Sequence, residues 1–222
     1  MKLGLLFSGG KDSTLAGYLA IKQGYNLCCL ISIDSENKDS YMFHTPFINQ
    51  ISKQADSMNI PLIIQKTKGE KENELIDLEK AIKKAKKEYG IKGIVTGAVE
   101  SVYQASRIQN ICNKLGLWCF NPLWQKPQIE ILKMIIKEKF EVIIVGVAAE
   151  GFNKTWLGKK IDNNFIKEVM KLNKKYAINV AGEGGEFESF VLNCPIFKKR
   201  IRFNKKEVNL SGQGKNWRLV LK

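Results

Sequence analysis

Six consecutive residues near the N-terminus, Ser8, Gly9, Gly10, Lys11, Asp12 and Ser13, combine types suited to handling a phosphate chain. Paired glycines let backbone N–H groups point into one concavity, and a helix starting just beyond adds its partial positive charge. The Ser8 and Ser13 hydroxyls can donate to phosphate oxygens, and Lys11 supplies a full charge. Asp12 is out of place in an anion cradle unless a Mg2+ ion stands between carboxylate and phosphate. A plain glycine turn with an Asp or Ser helix cap would need fewer of these residues. The GxxxxGK[ST] spacing of a Walker A loop is absent.

A second constellation, GEGGEFES at 182–189, places Glu183, Glu186 and Glu188 among glycines in a chain of net charge +14. Clustered carboxylates repel one another unless a cation, a basic partner or a proton holds them together. Glu186 and Glu188 alternate to one side if the stretch is extended. A metal-binding loop or a solvated glycine-rich loop fits the same pattern. A third group surrounds residue 100. Gly97 and Glu100 follow a strand-like run, and Ser101, Gln104 and Arg107 share one face if a helix starts there. They suit contacts to a nucleotide or a substrate carboxylate, and equally a solvated polar face. Ser32 and Asp34 end another apolar run, where Asp34 also fits a turn cap.

These groups need elements to hold them. Apolar runs at 2–7, 26–33, 61–66, 93–99 and 117–121 predict strands. Helical spacing predicts helices over 13–24, 44–60, 72–90 and 101–115. Alternation of this kind implies an α/β fold, a parallel sheet sandwiched by helices that binds ligands beyond the carboxyl ends of its strands. After Pro122 and Pro127 come a helix (129–139), a strand (140–149), a helix (162–175) and a β-leaning tail. We therefore expect a phosphate-binding α/β domain over 1–124 and a smaller α+β domain over 125–222.

Composition narrows the class. At 222 residues, 44% hydrophobic and 26% charged, the chain suits a globular protein with one large or two small cores. Its longest apolar runs are strand-sized, and a glycine-rich motif stands where a leader would, so a cytoplasmic location is expected. The cysteines (28, 29, 112, 119 and 194) form no CxxC pair, and His44 is the single histidine, which excludes the usual zinc spacings and favours buried reduced thiols. His44 suits a structural place at a helix start more than proton transfer. Of the 36 basic residues only 107, 200, 202 and 218 are arginine. Lysine-rich helices read as solvated faces, so nucleic acid is not the expected partner.

SGGKDS directly after the first strand resembles the PP-loop of the ATP pyrophosphatases. Together with DSYMFHTP (39–46), GAVESVYQASRIQNIC (97–112), FNPLW (120–124) and GEGGEFESFVLNCP (182–195), it makes the chain resemble the diphthine–ammonia ligase family from residue 1 into the tail. The resemblance implies an adenine nucleotide α-hydrolase-like domain, a smaller C-terminal domain and a cleft between them. It implies ATP with Mg2+ at Asp12, nucleotide contacts from Ser8 to Ser13 and at Ser32, Asp34 and Gly97, and substrate contacts at Glu100, Ser101, Gln104 and Arg107. Lys11, Asp12, Glu183, Glu186 and Glu188 would be catalytic, the glutamates meeting diphthine's trimethylammonium group or ammonium. The implied reaction amidates diphthine on translation elongation factor 2 through an acyl-adenylate, with ammonium as nitrogen donor and AMP and pyrophosphate as products. A tRNA-modifying PP-loop enzyme and a non-catalytic nucleotide sensor are the alternatives.

Overall fold

The computed structural model describes residues 1–37, 48–70, 72–203, 206–211 and 216–221. The chain divides into two compact units, Met1–Trp124 and Gln125–Lys222. In the first, β1 (Lys2–Leu6), β2 (Asn26–Ser35), β3 (Leu62–Thr67), β4 (Gly93–Val95) and β5 (Trp118–Phe120) form a parallel sheet in the order β3-β2-β1-β4-β5. Between them run α1 (Lys11–Lys22), α2 (Ile48–Met58), α3 (Asn73–Tyr89) and α4 (Val102–Leu115).

The strand order determines which face each helix covers. Steps from β1 to β3 run one way across the sheet and steps from β3 to β5 run back, so right-handed crossovers put α1 and α2 on one face and α3 and α4 on the other. On the second face, Leu78, Ala81, Ile82 and Ala85 of α3 recur at the spacing that makes one apolar stripe. They pack with Ile108, Ile111 and Cys112 of α4 and with Cys29, Ile31 and Ile33 of β2. Burying Leu78 or Ile82 fully contributes roughly 1.5–3 kcal/mol each. Sheet residues covered on both faces, such as Leu3, Leu5, Leu30 and Ile31, are almost inaccessible, which explains the unbroken apolar runs.

The second unit is mixed. It contains α5 (Gln128–Lys137), β6 (Glu141–Val147), a 3-10 turn (Lys154–Trp156), α6 (Asn163–Tyr176), β7 (Phe187–Asn193), β8 (Lys206–Ser211) and β9 (Asn216–Leu221). The strands form an antiparallel sheet in the order β7-β6-β9-β8. Phe165 of α6 meets Trp156 and Phe187 edge-on at 5.6 and 5.5 Å, building an aromatic core behind the 182–186 loop.

Three local departures from the sequence expectation bear on the site. Helix α1 starts at Lys11 instead of Ser13, so Lys11, Asp12 and Ser13 form its first turn. β4 ends at Val95, leaving Gly97 and Glu100 in a loop instead of a strand extended to 99. The helix expected over 44–60 is observed as Ile48–Met58, and His44 with the stretch 39–46 lies outside the described residues.

Candidate functional site

β1 delivers the chain to Ser8, Gly9 and Gly10, and α1 begins at once. Gly10 is the N-cap, and no side chain caps the first turn. Lys11, only 3% exposed, donates to Asp12 Oδ2 at 2.7 Å. A positive charge in a first turn opposes the helix macrodipole, and burying it adds a desolvation cost. This concentration of positive potential is suited to an anion. Ser8 and Ser13 are linked hydroxyl to hydroxyl at 3.1 Å, and Ser13 Oγ donates to Gly10 O at 3.2 Å. Thr14 Oγ1 donates to the same carbonyl at 2.8 Å. The turn is therefore fixed before any ligand arrives.

Two neighbouring elements brace it. Gln54, fully buried on α2, donates from Nε2 to Gly9 O at 2.9 Å. Gly9 has φ +76°, and a Cβ there would lie 2.4 Å from Gln54 Oε1. From the other side, the loop after β4 closes on α1. A Cβ at Gly97 would stand 2.7 Å from Ser13 N and 2.8 Å from the Asp12 carbonyl carbon. The cradle thus lies where strand order reverses between β1 and β4, the place such sheets hold ligands. Ser32, buried near the end of β2, donates to Phe7 O at 2.6 Å, so its hydroxyl serves the strand ends; Asp34 is half-buried two residues on. Thr96 and Asn121 join the ends of β4 and β5 through a 2.8 Å side-chain hydrogen bond.

Asp12 also allows a test of metal fit. Its Oδ1 is buried and has no hydrogen-bond partner. An acceptor left so in the first turn of a helix, beside a glycine turn, fits a hard cation. Mg2+ held by one carboxylate and phosphate oxygens needs no larger protein ligand set. Among the described residues, no three His, Cys, Asp or Glu side chains gather as a metal site.

The residues on α4 separate. Ser101 is the N-cap, its Oγ accepting from Gln104 N at 3.3 Å. Glu100 is exposed and Gln104 is half-buried. Arg107 lies over the Tyr103 ring at 3.5 Å and donates to Glu72 Oε1 through Nε at 3.1 Å and Nη2 at 2.5 Å. Tyr103 Oη donates to the same oxygen at 3.0 Å. The Glu72 carboxylate holds the guanidinium above its ordinary pKa. Glu72 itself precedes α3 at φ +67°, ψ −38°, a conformation that costs a non-glycine residue about 1–3 kcal/mol. Sequence reading missed Glu72, because its partner is 35 residues away.

The three glutamates of the acidic stretch do not share one environment. Glu186 is 7% exposed and accepts from Asn179 N at 2.7 Å, Asn179 Nδ2 at 2.9 Å and Gly184 N at 2.8 Å. Asn179 Oδ1 in turn accepts from Gln128 Nε2 at 2.9 Å, and Gln128 Oε1 accepts from Ala181 N at 3.0 Å. The charge of Glu186 is therefore met inside its own loop. Glu188 lies on β7 and accepts from Arg218 Nη2 at 2.9 Å, with its carboxylate over Gly146. Glu183 is half-buried in the turn. Gln54 was also missed, although a glutamine on the same helix face as Ile51 and Met58 is a visible signal.

Known proteins match along most of the chain. The diphthamide synthase N-terminal domain matches residues 1–119, and the diphthamide synthase C-terminal domain matches residues 128–219. A Bos taurus protein named diphthine--ammonia ligase is 34% identical over 227 residues, covering 94% of this chain and 85% of its own. The Homo sapiens protein of the same name gives the same identity and coverage. Its Schizosaccharomyces pombe counterpart is 34% identical over 224 residues, covering 94% of this chain but 37% of its own, much longer length.

Proposed function

The chain belongs to the diphthamide synthase family, and from that membership we propose that it is an ATP-dependent diphthine–ammonia ligase. The relatives carry the ligase name, which favours amide formation over modification of tRNA. The observation that carries the ATP half is the uncapped first turn of α1, with Lys11 and Asp12 at the strand-order reversal.

The chemistry follows from that cradle. Diphthine's carboxylate attacks the α-phosphorus of ATP, pyrophosphate leaves, and an acyl-adenylate forms. Ammonia then attacks the activated carbonyl and AMP departs. Lys11, the Gly9–Gly10 backbone and the N-terminus of α1 stabilise charge developing on the departing pyrophosphate. Mg2+, held by Asp12, would neutralise phosphate charge there. Glu183, flanked by Gly182 and Gly184 that let a ligand approach closely, is the carboxylate we assign to the cationic substrate, trimethylammonium or ammonium, while Glu186 shapes the loop and Glu188 pairs with Arg218. Gly97 keeps the nucleotide side of the cradle clear, with Ser32 and Asp34 at the end of β2, and Glu100, Ser101 and Gln104 border the substrate side. Translation elongation factor 2 is the protein substrate in this reading. We place the reaction in the cytoplasm; no helix among the described residues is long and apolar enough to cross a membrane.

Incubation with diphthine-bearing elongation factor 2, ATP and ammonium tests the reading. Amide, AMP and pyrophosphate should appear in equal amounts. Formation of ADP, or no amide at all, would refute it.

A further inference from the structure

Arg107 and Tyr103 have the make-up of a carboxylate receptor, and the receptor is already occupied. Both side chains project from the rigid helix α4, and the cation–π contact at 3.5 Å orients the guanidinium before anything binds. Three donor groups converge on a single oxygen, Glu72 Oε1. A planar fork plus a phenol is a typical arrangement for recognising a carboxylate, and Arg is preferred where that geometry matters.

The occupant is held less well than the receptor. Glu72 is 54% exposed, and its backbone adopts a left-handed conformation that favours glycine. Exposed ion pairs return little free energy, because solvent screens them and side-chain freedom is lost. The strain at Glu72 is therefore not recovered from its pairing. A carboxylate arriving from outside, without that strain, competes on favourable terms. Glu72 also follows the carboxyl end of β3 and α4 follows that of β4, the edge of the sheet where ligands bind.

We propose that Arg107 and Tyr103 bind the carboxylate of the protein substrate, and that Glu72 fills this receptor as an intramolecular stand-in until the substrate displaces it. This rests on the ligase reading above and extends it. The receptor recognises the acid and loses its main interaction once the acid has become an amide. It thus favours substrate over product and helps the product leave.

Calorimetric binding without ATP, so that nothing turns over, tests the idea with two probes: elongation factor 2 carrying diphthine, and the same protein carrying the finished amide. If Glu72 occupies the receptor about nine-tenths of the time, Glu72→Gln should tighten binding of the acid form about tenfold. Binding of the amide form should not change. Arg107→Ala should erase the preference for acid over amide, and Glu72→Gln added to it should give no gain. Equal gains for both probes, or no gain for the acid, would overturn the proposal. So would a Glu72→Gln variant that changes ATP affinity, since the displaced anion would then be a phosphate. Amide formation by the unaltered protein is assayed separately, and its absence would count against the ligase reading alone.

Discussion

Replacing Glu186 separates a structural carboxylate from a reactive one. Its two oxygens accept three hydrogen bonds within a network that reaches α5 through Asn179 and Gln128. A hydrogen bond to a charged group is worth about 1.5–3 kcal/mol, and each donor left buried and unpaired adds its own desolvation penalty. Glu186→Ala removes all three hydrogen bonds at once and opens a small void. We expect it to destabilise the second unit by roughly 3–5 kcal/mol. Glu186→Gln is milder. Its oxygen can still accept from Asn179, but its amide nitrogen then faces Gly184 N–H, donor against donor, at a cost of about 1–3 kcal/mol. Urea unfolding followed by tryptophan fluorescence gives both numbers, since Trp156 and Trp217 report on this unit. Amide formation should fall in step with the loss of loop order, while ATP binding stays near its normal value. The pH dependence of turnover should keep its shape in Glu186→Gln. A Glu186→Ala protein as stable as the parent yet inactive would refute this reasoning and return Glu186 to direct contact with substrate.

Other perturbations act on the cradle and the core. Gly97→Ala forces a methyl group to 2.7 Å from Ser13 N, where backbone must move; the overpacking cost of about 1–3 kcal/mol should weaken ATP binding roughly ten- to hundredfold by calorimetry. If Asp12 holds Mg2+ as proposed, Asp12→Asn, which keeps the shape but loses the charge, should raise the Mg2+ concentration needed for ATP binding at least about tenfold in a Mg2+ titration. Burial pushes the Cys29 and Cys194 thiols up to about 12, so neither should react with iodoacetamide in the native protein at pH 8. Both bind a proton more tightly folded than unfolded. Their stabilisation is therefore complete below the unfolded value of 9.0 and is lost as pH rises from there towards about 12, at up to about 1.4 kcal/mol per pH unit for each thiol. Urea midpoints measured between pH 8 and 10.5 would show it.

The parallel sheet was legible because its strands are covered on both faces and so appear as continuous apolar runs. The start of α1 was less so. Lys11 and Asp12 look like loop chemistry, yet Gly10 serves as N-cap and draws both into the helix. The turn that carries Ser8 to Ser13 was legible because a strand, paired glycines and a helix start follow one another locally. The partners were not. Gln54 reaches Gly9 across 45 residues, Glu72 reaches Arg107 across 35, and Arg218 reaches Glu188 across 30. No local pattern announces such pairs. The acidic stretch is a different case, since a run of acids between glycines suggests one electrostatic task. Tertiary hydrogen bonds divided it instead into a buried anchor, an ion pair and a half-buried carboxylate.

Gly97 and the first turn of α1 meet as bare backbone, with no side chain between them. A contact of this kind has no rotamer to absorb displacement, so it works as a mechanical bearing. The loop it belongs to runs on within four residues to Ser101, the cap of the helix that carries Arg107. Any tilt of α4 that the proposed exchange of carboxylates at Arg107 produced would therefore be passed to the turn containing Asp12 and Ser13. Recognition of the acid and the grip on the phosphates would then be two ends of one lever, with the absent Cβ at Gly97 as its fulcrum.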